Sequence, residues 1–176
     1  QGMDVSTAVA EKVEREAGIA VHVGSLPHPN IRPGSFDAVT MWSSLEHVHD
    51  PRAVVRAAYH ALSPGGILAV CVPNIESWSF RTFRQAWFGL ELPRHLVHFS
   101  PDTLREILCR HGFRLRTMRP IGRDGWLRRS ARRAKHNGAQ SRWLRPLDWK
   151  PLALGISRWT EWSGQAECIF ALADKI

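Results

Sequence analysis

The periodicity of apolar positions changes several times along the chain. Residues 67–72 are almost wholly apolar, the pattern of a central parallel strand buried on both faces. Residues 36–42 and the β-branched run 19–23 read as further strands, residues 113–119 alternate, and 166–173 form a last strand. Residues 2–5 read as the end of an opening strand. Helical patterns lie between these runs. Ser6 or Thr7 caps a helix through Ala17, which Gly18 ends. Asp50-Pro51 starts a helix to about Leu62, with Val54, Val55, Ala58 and Leu62 on one stripe, and Ser63-Pro64-Gly65-Gly66 stops it and turns the chain. Ser100-Pro101 starts another, through about His111, which Gly112 ends. Residues 24–35 read as a loop. Residues 74–99 are aromatic-rich and irregular, with a short helix around 78–87, and residues 122–163 read as helices with loops.

Strands and helices thus alternate. That order predicts an α/β fold, doubly wound, with a mostly parallel sheet and helices on both faces. The 176 residues suit a single domain, 1–176, with one core. Apolar residues at 44% and charged residues at 23% match ordinary globular proteins, and no apolar run reaches the length of a membrane span. The opening residues have no basic start and apolar core of a signal peptide, so a cytoplasmic protein is expected. Cys71, Cys109 and Cys168 are expected to be buried free thiols, in keeping with a reducing compartment.

Charge adds a second theme. The net charge is +8, and residues 114–145 hold eleven Lys or Arg against one acid, Asp124. Such a block either covers the core as a solvated helical face or attracts phosphates or an anionic lipid surface.

In sheets of this kind, ligands bind beyond the carboxyl ends of the strands. Asp4 stands at such an end. A carboxylate there can accept hydrogen bonds from a ribose diol, or it can simply favour the start of the following helix. Gly24-Ser25-Leu26 follows the next strand, as an ordinary turn or as an adenine contact. Trp42-Ser43-Ser44-Leu45-Glu46-His47-Val48 follows the third.

Here the sequence resembles a known family. A strand beginning Phe36-Asp37, then Leu45-Glu46-His47-Val48, a helix, and Leu62-Ser63-Pro64-Gly65-Gly66 before an apolar strand is similar to class I S-adenosylmethionine-dependent methyltransferases. Val72-Pro73-Asn74, Trp87-Phe88-Gly89 and the run from Pro93 to Pro101 (PRHLVHFSP) resemble the small-molecule branch that includes quinone-biosynthesis O-methyltransferases. The resemblance covers roughly residues 1–120 and the final strand. It implies a Rossmann-like sheet with an antiparallel last strand, and S-adenosyl-L-methionine as cofactor. Asp4, with Val5 beside it, would bind the ribose, Ser25 and Leu26 the adenine, and Trp42 and Ser43 the methionine end. His95, His98 and Phe99 would close the acceptor side, with residues 74–99 and 122–163 as cover. Asp4 and Ser43 are expected to border one crevice.

The sequence also departs from the family. Its first strand and glycine-rich loop, which would present backbone N–H groups to the cofactor carboxylate, have no counterpart here and would precede Gln1. Ser25 stands where an aspartate is frequent. Some quinone methyltransferases hold a divalent ion through Glu-x-x-Glu-His; here the stretch is Ser43-Ser44-Leu45-Glu46-His47. With one hard oxygen ligand left, no metal is expected, and Glu46 and His47 are expected to brace the loop by hydrogen bonding. His95 or His98 can take a proton from an acceptor hydroxyl, or serve packing alone.

The expected function is therefore methyl transfer from S-adenosylmethionine to a small-molecule acceptor. Alternatives are a nucleic-acid-binding or nucleic-acid-modifying domain using the 114–145 block with Trp126 and Trp143, a dinucleotide-dependent dehydrogenase, and a non-catalytic relative. Nucleic acid is the weaker partner, because no RNA-binding motif and no base-amine methyltransferase motif is present. Contact with an anionic membrane surface remains compatible with the charge.

Overall fold

The computed structural model describes residues 1–136 and 142–176, together with all side chains in them except those of Arg142, Trp143 and Arg145. Residues 137–141 of the expected 122–163 cover thus lie outside the described residues. The chain runs β1 (Gly2–Asp4), α1 (Thr7–Ala17), β2 (Val21–Val23), β3 (Phe36–Trp42), α2 (Pro51–Ala61), β4 (Leu62–Pro73), α3 (Trp78–Phe83), α4 (Pro101–Arg110), β5 (Phe113–Ile121), α5 (Asp124–His136), α6 (Lys150–Trp162) and β6 (Cys168–Lys175). Single 3-10 turns occupy Leu45–His47, Arg84–Ala86 and Phe88–Leu90, and a longer 3-10 segment occupies Arg142–Asp148.

The helix starts follow from their caps. Ser6 accepts from the Val9 amide, Asp50 accepts from Arg52 and Ala53 ahead of Pro51, and Ser100 and Thr103 form a reciprocal capping box ahead of α4. Gly18, at φ 64°, ends α1 in the left-handed conformation.

The strands form two sheets. β1 and β2 pair in parallel as a two-stranded sheet. β3, β4, β6 and β5 form a four-stranded sheet in that order, in which β3 and β4 are parallel and β6 runs antiparallel to both its neighbours. The antiparallel last strand expected from the resemblance is present. Among the described residues no ladder joins the two sheets.

β4 departs from the sequence reading. Ser63-Pro64-Gly65-Gly66 does not separate helix from strand, because β4 already begins at Leu62, which pairs with Phe36 and is fully buried. The ladder then shifts register between Phe36 and Ala38, and the extra residues loop out through Gly65 at φ 74°. The Ser63 hydroxyl donates to Asp37 across the bulge at 3.0 Å. The second strand is shorter than expected, starting at Val21, and the last begins at Cys168 and reaches Lys175.

The main core lies on one face of the four-stranded sheet. Met41, Leu68, Val70, Val72, Ile169 and Ala171 pack there against Val54, Val55 and Ala58 of α2 and Leu104 and Leu108 of α4. A second cluster gathers α3, α5 and α6 around the fully buried Trp87, with Phe83, Leu127, Ala131 and Ala153. Ala38, Thr40 and Trp42 alternate with core-facing neighbours on β3 and stay exposed. Cys71 and Cys168 are buried as expected; Cys109 is exposed, because it falls on the outer side of α4.

Leu68 and Ile67 separate the two faces of one strand, since Leu68 is fully buried and Ile67 only half-buried. Leu68→Ala is expected to lower unfolding stability by about 2–5 kcal/mol, and Ile67→Ala by clearly less, as read from urea denaturation midpoints. Equal losses at the two positions would place the main core on the wrong side of β4.

Candidate active site

Two groups of loops carry the residues singled out by sequence. The first sits at the carboxyl ends of β1 and β2. Asp4 pairs with Val23 in the ladder, and the Gly24 amide donates to the Asp4 carbonyl at 2.9 Å. Asp4, Val5, Gly24 and Ser25 are thereby neighbours. One Asp4 carboxylate oxygen accepts from the Ser6 amide at 2.8 Å, so the helix-start role foreseen for this carboxylate is realised. Val5 is 77% exposed. Ser25 is exposed and donates its hydroxyl to the Leu26 carbonyl, while Leu26 is half-buried against the main core.

The second group begins where β3 ends. Trp42 pairs with Cys71 of β4, and the Ser43 amide donates to the Cys71 carbonyl at 2.9 Å. There the strand stops, because Ser43 adopts φ 46°, a left-handed conformation that is unfavourable for a serine. Such strain persists only where surrounding structure enforces it, and it gathers at functional sites. Trp42 is 57% exposed and stacks on Phe170 of β6 at 5.6 Å. Arg119 lies over the far side of the sheet's aromatic pair, 5.1 Å from the Phe170 centroid.

Beyond Ser43 the chain makes one 3-10 turn, Leu45–His47. The Glu46 carbonyl accepts from the amides of both Leu96 and Val97, which draws residues 94–99 across the end of β3 as a strap. Asn74 fixes the other side of the strap. It bridges to Phe99, and its buried side chain donates to the Ala166 carbonyl and accepts from the Glu76 amide. Structure thus brings the Ser43–His47 loop, the strap with His95 and His98, and the end of β4 together.

The histidines are held by backbone carbonyls. Nδ1 of His47 meets the Arg94 carbonyl at 2.9 Å, Nδ1 of His95 meets Gly89 at 2.8 Å, and Nε2 of His98 meets Leu90 at 3.1 Å. His95 is buried, and burial lowers its pKa from the ordinary imidazole value. His98 is half-buried, 6.1 Å from His95 between ring centroids. Glu46 corrects the expectation that it braces the loop. His47 does so, but the Glu46 carboxylate is fully buried and neither oxygen has a hydrogen-bond partner. Burial raises its pKa from 4.5 to about 7. The sequence offered one hint, a charged residue inside Leu-Glu-His-Val, but no pattern that says which way its side chain points.

Residues 2–118 match the family described as "Methyltransferase domain". The chain belongs to this methyltransferase family. The domain is 34% identical over 92 residues to the ubiquinone biosynthesis O-methyltransferase of Pseudomonas aeruginosa, a match covering 49% of this chain and 40% of that protein. The chain therefore spans less than half the length of the curated relatives it matches. Among solved structures, it superposes on a SAM-dependent methyltransferase of Thermotoga maritima with a TM-score of 0.67 at 18% identity, covering 99% of this chain and 72% of that one. A Haemonchus contortus phosphoethanolamine N-methyltransferase, solved with S-adenosylhomocysteine, superposes at 0.59 and 19%, covering 99% and 42%. These likenesses show the class I methyltransferase fold.

The Ser43 conformation can be tested directly. Ser43→Gly is expected to keep or raise the stability of the methyltransferase domain, whereas Ser43→Val is expected to cost about 1–3 kcal/mol. Thermal and urea unfolding of the two variants check this, and a Val variant as stable as the Gly variant would remove the strain.

Proposed function

We propose that this methyltransferase domain binds S-adenosyl-L-methionine across the carboxyl ends of β1, β2 and β3 and transfers its methyl group to a small-molecule acceptor. The observation that carries the reading is that Asp4 closes β1 and that Ser25 and Ser43 lie in the first turns after β2 and β3, where ligands of parallel sheets bind. The family match supports the cofactor. The curated relative's name, ubiquinone biosynthesis O-methyltransferase, supports a small acceptor.

On this reading the free part of the Asp4 carboxylate accepts from the ribose hydroxyls. Ser25 and Leu26 lie against the adenine, and Trp42 and Ser43 line the methionine end. S-adenosylmethionine supplies an activated methyl on a sulfonium. The acceptor's lone pair attacks the methyl carbon as the carbon–sulfur bond breaks, and the electron pair of that bond returns to sulfur. Holding donor and acceptor in line is the main service the domain performs. The acceptor's proton passes to a base. His98 suits this better than His95, because it is less deeply buried and keeps Nδ1 free when Nε2 donates to Leu90. His95 then serves to hold the strap.

The arginine block does not favour a nucleic-acid reading. Arg114 and Arg116 face Asp174, Arg128 and Arg132 face Asp148, and Arg129 and Arg133 stack over Phe88. Much of the block is thereby engaged with the domain's own groups, while the side chains of Arg114, Arg116 and Arg132 stay more than half exposed. No helix among the described residues is long and apolar enough to cross a membrane.

In the protein that carries this chain, Asp4→Ala is expected to weaken S-adenosylmethionine binding by about 10–100-fold, as befits loss of hydrogen bonds to a charged acceptor. Isothermal calorimetry with S-adenosylmethionine, and with NAD as control, measures it; unchanged affinity removes Asp4 from the site. For the reaction, His98→Gln is expected to lower S-adenosylhomocysteine release by about 10²–10⁴-fold on the best acceptor from a panel of phenols and quinone precursors. Unaltered turnover would exclude His98 as the base.

A further inference from the structure

The four-stranded sheet carries a row of side chains that the chemistry above uses only in part. Trp42 of β3 pairs with Cys71 of β4, Cys71 with Phe170 of β6, and Phe170 with Arg119 of β5. Directly paired residues point to the same face of a sheet, so these four side chains stand side by side across all four strands. None of them belongs to the main core on the opposite face. The row lies near the carboxyl ends of β3 and β4 and the start of β6.

Two cations meet this row. Arg119 holds its Cζ 5.1 Å from the Phe170 centroid. Arg123, just past the end of β5, brings its guanidinium against the thiols of Cys71 and Cys168. Among the described residues neither guanidinium pairs with an acid. Glu161 and Glu167 stand close to Arg123 along the backbone, but their carboxylates are taken. Glu161 accepts from the Gly122 amide at 2.6 Å, and Glu167 accepts from the Arg123 amide at 3.1 Å and from the Ser79 hydroxyl at 2.7 Å. The positive field is felt locally. Hydrogen bonds from Cys168 and then from Arg123 draw the Cys71 thiol down from its ordinary value to about 7, so this place favours negative charge.

Trp42 supplies the apolar half. Its indole rests on Phe170 with centroids 5.6 Å apart and planes inclined by 20°, and the residue stays more than half exposed. An exposed aromatic plate beside two uncompensated guanidiniums suits a planar ligand with negative charge. Position says which ligand. On the methyl-transfer reading, on which this inference rests, the cofactor spans β1 to β3 and its methionine end reaches Trp42 and Ser43. The acceptor then lies past Trp42, over β4, β6 and β5, where the arginines stand. Trp42 and Arg119 both touch Phe170, so only those two contacts separate indole from guanidinium. Aromatic rings pair at about 4.5–7 Å between centroids, and guanidinium–carboxylate hydrogen bonds run about 2.7–2.9 Å. A single ring with one carboxylate bridges the gap.

We propose that the methyl acceptor is an aromatic carboxylate, a phenol that also bears a carboxylate group, with its ring against Trp42 and its carboxylate held by Arg119 and Arg123. The two arginines set specificity. They bind a part of the acceptor remote from the reacting oxygen, so they act on KM more than on kcat.

The protein that carries this chain is titrated by calorimetry with protocatechuate, a catechol bearing one carboxylate, and with its neutral amide. Protocatechuate is expected to bind at least about tenfold more tightly than the amide, the scale of a charge-assisted hydrogen bond. Arg119→Gln and Arg123→Gln each remove most of that preference and raise KM for protocatechuate with little change in kcat. Arg56→Gln, on α2 across the sheet, leaves the preference as it was. Arg119 is exposed, so its variant carries the test should Arg123→Gln fail to fold. The cofactor also has a carboxylate, so S-adenosylmethionine affinity is measured for the same variants. It is expected to stay constant; a loss assigns the arginines to the cofactor and overturns the acceptor assignment. Equal binding of protocatechuate and its amide overturns it as well, as does a preference that survives Arg119→Gln and Arg123→Gln together. Failure of S-adenosylmethionine to bind while the carboxylate preference holds counts against methyl transfer and leaves the carboxylate site standing.

Discussion

One backbone hydrogen bond, from the Ser43 amide to the Cys71 carbonyl, organises the functional end of the molecule. It is the last rung between β3 and β4. Past it, the left-handed Ser43 turns the chain away from the sheet, and the 3-10 turn that follows buries Leu45 and Glu46. The Glu46 carbonyl then receives the strap through Leu96 and Val97. The strained residue, the buried acid and the histidines are therefore not separate features. Each follows from where β3 is forced to stop.

The elements with local causes were legible in the sequence. Ser6, Asp50 and Ser100 cap helices through their own side chains, and β3 falls at the expected residues Phe36–Trp42 because its alternation and flanks are unambiguous. Features with distant causes were not legible. Leu62-Ser63-Pro64-Gly65-Gly66 has every mark of a turn, yet pairing of Leu62 with Phe36 makes it a bulged strand start. Cys109 sits in an apolar helical pattern, but its angular position on α4 leaves it facing water. At the site, the resemblance supplied candidate positions after each strand, whereas the isolation of the Glu46 carboxylate depends on a strap some fifty residues away and has no trace in local spacing.

The charge distribution is likewise settled by tertiary partners. Read linearly, residues 114–145 form a strongly cationic block. In the fold, Asp174 and Asp148 each take two arginines, and Phe88 takes two more on its face. Guanidinium groups can stack and pair simultaneously, so this arrangement clamps α5 onto the 3-10 segment and the Phe88 turn. Ion pairs this exposed contribute little each; their value lies in orientation.

The placing of β6 inside the four-stranded sheet has a consequence for the order of folding. Among the described strands, β4 and β5 are joined only through β6, where Cys168–Lys175 pairs with Ile67–Pro73 on one side and with Phe113–Ile121 on the other. The rungs between β4 and β6 link residues about a hundred positions apart, and pairings so distant in sequence form slowly. Helices α2 and α4, built on contacts close in sequence, will thus be in place before the sheet they cover is complete.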